Sequence, residues 1–167
     1  MIDVIPNADS AESGQNSEPS IAVNPLNPNQ MIAGAFNSES IGNDGGTPFW
    51  MSTNKGATWS DFGILGSVDK TLAWRQDGVA ALTVTLNLDN RNTGADHLTT
   101  YQSGATNFGS PINTTPIQSV DQPWIRTGPS GQTYVASNNF NAANAGGKTA
   151  SIAVSSNNGV TFGPTVV

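Results

Sequence analysis

The chain of 167 residues contains no cysteine, one histidine (His97) and only 11% charged residues. Without thiols there is no disulfide, no thiolate zinc centre and no cysteine nucleophile, and one imidazole excludes a multi-histidine metal site within a single chain. Twelve acids against six bases give a net charge of −6. With no Lys/Arg cluster to neutralise phosphates, nucleic acid is excluded as a partner and anionic membranes are disfavoured. No run approaches the roughly 20 apolar residues that span a bilayer. The opening from Met1 to Pro6 lacks the basic start and apolar core of a secretory signal. The weakly charged surface, rich in Asn, Thr and Gly, suits a secreted or cell-surface protein of bacterial type.

What the chain does have is turn chemistry: 18 Gly and 10 Pro are spread between short apolar runs, with 36% hydrophobic residues overall. That predicts an all-β fold of many strands and few helices. One eight-residue pattern occurs twice, as Ser52, Asn54, Gly56, Thr58, Trp59 and as Ser155, Asn157, Gly159, Thr161, Phe162. The Asn side chain can accept backbone amides, Gly supplies a positive φ, the hydroxyls tie the turn to itself, and the aromatic anchors it in a packed layer. The pattern describes a structural corner, not an active site.

Laid out from these corners, the chain divides into three similar units of residues 18–68, 69–121 and 122–167, opening at Glu18, Asp69 and Gln122, with 1–17 as an N-terminal arm. Each unit reads as a short strand, a turn, a second apolar strand, a long polar loop, a third strand, the corner and a short fourth strand. The period is slightly above the roughly 40–50 residues of propeller blades. The middle corner, Tyr101 to Phe108, lacks the Asn and displaces the Gly.

These corners and the opening Glu18-Pro-Ser-Ile-Ala-Val resemble the Asp-box, or BNR, repeat of the sialidase-like β-propellers, with Asn in place of the usual Asp. The resemblance implies three four-stranded blades, half of a six-bladed ring. Each blade buries both sheet faces against neighbours, so three blades leave two apolar faces without a partner. A twofold homodimer could close the ring, as could a missing second half or a different chain. An excised or engineered fragment is a further reading.

In such a propeller the ligand face carries the loops between strands two and three and the blade entrances. This makes Glu39, Asp44, Asp89, Arg91 and Asp96, with Glu18, Asp69 and Asp121 at the channel mouth, the candidate binding residues. Arg91, Asp96 and His97 are the candidates for acid–base or anion-binding chemistry. Asp89, Asn90, Asn92 and Asp96 offer hard oxygen donors of the kind calcium takes, in no EF-hand spacing; no other cofactor is implied. The sialidases use three arginines, a Tyr/Glu nucleophile pair and an Asp acid, and tyrosine is an exception among glycosidases. Here Arg75 falls in a far-side turn and Arg126 inside an innermost strand, and neither Tyr101 nor Tyr134 occupies a nucleophile position. Trp50, Trp59, Trp74 and Trp124 could form a sugar-stacking surface, but packing between blades is the expected role for most. Two functions follow: a noncatalytic module binding glycan or protein through its loop face, or half of a sialidase-type exo-glycoside hydrolase.

Overall fold

The computed structural model describes residues 16–37, 47–66, 69–87, 97–115, 120–139 and 149–163. They form three antiparallel sheets in chain order. The first holds β1 (Asn16–Val23), β2 (Met31–Asn37), β3 (Thr47–Ser52) and β4 (Ser60–Leu65). The second holds β5 (Lys70–Trp74), β6 (Ala81–Asn87), β7 (His97–Gln102) and β8 (Asn113–Thr115). The third holds β9 (Val120–Thr127), β10 (Thr133–Asn139) and β11 (Thr149–Ser155).

The all-β expectation and the strand order match. Two details differ. β1 and β9 begin two residues before the expected openings at Glu18 and Gln122. The third sheet has three strands among the described residues, against the four expected; 164–167 lie outside them.

Period-two alternation along the first strands makes a radial stack. On β5, Leu72 and Trp74 point back to the first sheet, where they join Ala22, Ile32, Phe49 and Phe62 in one core. Ala73, between them, points forward and packs with Leu82 and Val84 against Ile125 and Val135 of the third sheet. The first strands lie side by side, β1 against β5 and β5 against β9. Their polar atoms cross-link the sheets: the Leu72 amide donates to Ser20 Oγ (3.0 Å), and the Thr127 hydroxyl donates to the Trp74 carbonyl.

The two corners are superimposable in their bonding. Ser52 Oγ accepts the Gly56 amide (2.9 Å) and its hydroxyl donates to Asn54 Oδ1 (3.0 Å). Asn54 Oδ1 accepts the Thr58 amide (2.9 Å), while Nδ2 donates to Thr58 Oγ1 (2.8 Å). Ser155, Asn157, Gly159 and Thr161 repeat every bond, at 3.0, 2.8, 2.9 and 2.8 Å. Gly56 and Gly159 both take φ +80°, the left-handed conformation that the turn requires. The middle corner closes differently, through a Gly104 amide to Asn107 carbonyl bond (2.8 Å) and a bridge between Ser103 and Phe108.

Candidate functional site

Strand register divides the molecule into two faces. Asn16 pairs with Asn37, the Leu86 amide donates to the Asp69 carbonyl, and Val120 pairs with Asn139. The openings of β1, β5 and β9 therefore share an edge with the ends of β2, β6 and β10. The corners lie at the opposite edge, where Lys55 bonds Asn29 and Asn158 bonds Gly131 through backbone atoms. The blade entrances and the ends of the second strands thus share one face, while the loops between strands two and three lie outside the described residues.

At that face the three openings converge on a cavity of about 350 Å³ lined by Glu18, Asp69, Lys70, Gln122 and Trp124, among others. Glu18 (φ +50°) and Gln122 (φ +49°) both take left-handed backbone immediately before a proline. Such a conformation costs an L-residue on the order of 1–3 kcal/mol, a strain that clusters where a side chain must be aimed. In β1 the bend accompanies a register shift between Ser17 and Ser20.

Lys70 is buried, and its ammonium donates to the Glu18 carbonyl oxygen. Burial lowers its pKa from the ordinary 10.5, while the negative charges of Glu18 and Asp69 pull it partly back. Between the depressed folded pKa and 10.5, the unfolded chain holds a proton that folded Lys70 has released. Stability should therefore rise with pH across that window. Urea midpoints measured against pH should show this rise in the wild type and lose it in Lys70→Met; an identical profile in both would refute the assignment.

Below the mouth, a groove of about 450 Å³ runs along the first strands past Ala22, Ala73 and Arg126 to Gln76. The four tryptophans part company here. Trp50 and Trp74 are buried, and Trp59 lies over Gly56, donating Nε1–H to its carbonyl (3.1 Å). Trp124 borders both mouth and groove and is 58% exposed.

Of the sequence candidates, Asp69 is at the mouth, as is Glu18. Asp121 is placed by its backbone opposite Asn138 at the same edge, and His97 opens β7 opposite Asn87. Glu39, Asp44, Asp89, Asn90, Arg91, Asn92 and Asp96 lie outside the described residues. Among the described residues, no three His, Cys, Asp or Glu gather as a metal site. Arg75 sits on the far side, bonded twice to Asp77 and also to Gln102, and its hydrogen bond holds the Asp77 carboxyl below the usual range. Arg126 lines the groove and donates to the Ile125 carbonyl (2.6 Å). Lys70 and Gln122 are additions, and of the four tryptophans Trp124 is the one that lines the mouth. The signal for Lys70 was available, as a cation opening an otherwise apolar strand.

No family model matches the chain, and no curated protein matches it. Solved structures do. An α-L-arabinanase from Penicillium chrysogenum is similar at TM-score 0.65 and 14% identity, over 90% of this chain and 48% of that one. An α-L-arabinofuranosidase from Fusarium graminearum gives TM-score 0.66 and 10% identity, over 91% and 48%. A β-fructofuranosidase from Schwanniomyces occidentalis gives TM-score 0.58 and 13% identity, over 89% and 33%. At such identities the likeness is one of fold. The chain thus has a partial β-propeller fold of the kind seen in glycoside hydrolases, and it spans about half the length of the first two.

Proposed function

We propose that the chain is half of a six-bladed, sialidase-like Asp-box propeller that holds carbohydrate at the mouth of its central channel, and that by itself it binds without hydrolysing. The supporting observation is the convergence of Glu18, Asp69 and Lys70 at one cavity beside the exposed indole of Trp124. Carboxylates and an ammonium offer the acceptors and donors that sugar hydroxyls need, and an indole face suits the apolar side of a ring. The noncatalytic reading rests on the two described arginines: Arg75 is engaged at the opposite edge and Arg126 stands down the groove, so neither joins the carboxylates at the mouth, and Arg91 lies outside the described residues. Fold alone does not carry activity across.

The second reading, half of an exo-glycoside hydrolase completed by further blades, is favoured by two carboxylates facing one cavity. Glycosidases of most families work with such a pair flanking the scissile bond.

Calorimetric titration with oligosaccharides selected on a glycan array should give saturable binding that weakens at least tenfold in Asp69→Asn and Glu18→Gln. Tenfold corresponds to about 1.4 kcal/mol, close to the lower end of the roughly 1.5–3 kcal/mol for losing a hydrogen bond to a charged group. Absence of any sugar ligand, or variants that bind as the wild type does, would overturn the proposal. Turnover of aryl arabinofuranosides or sialosides that disappears in Asp69→Asn would favour the second reading.

A further inference from the structure

The three blades open on one plan, with one departure. The residue after Glu18 is Pro19 and the residue after Gln122 is Pro123, whereas Asp69 is followed by Lys70. The plan itself asks for no cation there. Lys70 shares its side of β5 with Leu72 and Trp74, which pack on the first sheet, so its side chain leaves the strand toward β1. There its ammonium donates to the carbonyl of Glu18, a residue held in left-handed backbone.

Only 5% of Lys70 is exposed, yet it lines the mouth cavity. Glu18 of β1 and Asp69 at the head of β5 bring negative charge to it, and β9 brings the uncharged Gln122 and Trp124. A tie between openings does not need an amine. Where β9 meets β5, a threonine hydroxyl makes a comparable bond, from Thr127 to the Trp74 carbonyl, without taking a charge out of water. Burial of Lys70 instead lowers its pKa, which raises the share of neutral amine, the form with a lone pair to give. At about 350 Å³ the cavity has room for a molecule of a few carbons beside the side chain.

We infer that Lys70 is a carbonyl-trapping amine, which condenses at the mouth with the aldehyde of a short open-chain sugar. The Nζ lone pair attacks the aldehyde carbon to form a C–N bond, and the carbonyl oxygen takes up a proton and becomes a hydroxyl. The nitrogen then gives up a proton, and the hydroxyl, protonated again, leaves as water while C=N forms. Amine and aldehyde thus become imine and water, with nothing oxidised or reduced. The carboxyl groups of Glu18 and Asp69, lining the same cavity, carry these protons. A neutral Nζ keeps two N–H bonds, so it can stay tied to the Glu18 carbonyl while its lone pair meets the aldehyde. The inference goes beyond noncovalent sugar binding and does not depend on it.

Glycolaldehyde with cyanoborohydride, which reduces an imine to a stable secondary amine, tests this at neutral pH. Mapping the labelled peptides by mass spectrometry should show Lys70 labelled several-fold faster than Lys55, which is exposed at the first corner. In guanidinium chloride, where both side chains meet the same solvent, the two rates should converge. The comparison is made within the wild-type chain, so no variant has to fold. Lys70 labelled no faster than Lys55 in the folded protein, or a preference that survives unfolding, would overturn the inference. Labelling needs no closed sugar ring to bind, so its failure and the failure of the binding proposal are separate results.

Discussion

Phe49→Ala is expected to lower the unfolding free energy by about 3–5 kcal/mol, the range for truncating a buried aromatic. Phe49 has no exposed surface and meets Phe108 edge-on, with ring centroids 4.7 Å apart; Phe108 in turn meets Phe62 at 5.4 Å. These three rings join the first and second sheets, so the loss falls on the contact between blades. The ring also explains a glycine in the middle of a strand. A Cβ on Gly34 would lie 2.7 Å from two Phe49 ring atoms, and overpacking of that kind costs about 1–3 kcal/mol. Gly34→Ala should therefore destabilise the wild type and do so much less beside Phe49→Ala, a coupling that urea unfolding of the four proteins would measure. Equal effects in both backgrounds would mean the ring is not what excludes the methyl group.

The corners supply the second large effect. Alanine at Asn54 removes an acceptor of the Thr58 amide and of the Ser52 hydroxyl, together with a donor to Thr58 Oγ1. At about 0.5–1.5 kcal/mol for each net hydrogen bond, a loss of about 2–3 kcal/mol is expected. Asn157→Ala should cost the same within experimental error, because its bonds to Ser155 and Thr161 match to within 0.2 Å. Asp at either position keeps the acceptors and can receive the threonine hydroxyl as a donor, so it should cost under about 1 kcal/mol. A large difference between the two alanine variants would show that neighbouring packing, and not the corner, sets the energy.

Much of this architecture was legible in the residues. The side chains of Ser52, Asn54 and Thr58 and the amide of Gly56 bond one another within eight positions, so local chemistry sufficed to read the turn. The run Leu72-Ala73-Trp74 in β5, with no polar face, is what a strand buried on both sides presents. What escaped reading depended on distant partners. Trp124 has the same composition signal as the buried Trp74, yet none of the described sheets packs over it. Lys70 could be read as a cation opening an apolar strand, but its bond to Glu18, 52 positions away, exists because two openings converge, which no local pattern encodes. Val79 looks like the start of β6, yet the strand starts at Ala81 because the Arg75 to Gly78 turn holds Val79 outside the ladder.

Among the described residues, only the middle sheet is packed by a sheet on each face. In a stack of like units, stability comes from each unit plus its contacts with immediate neighbours. The strands from β5 to β8 therefore form the kernel of the molecule. An outer sheet can open without exposing the core between the other two, so local opening is easier at the outer sheets than at the middle one.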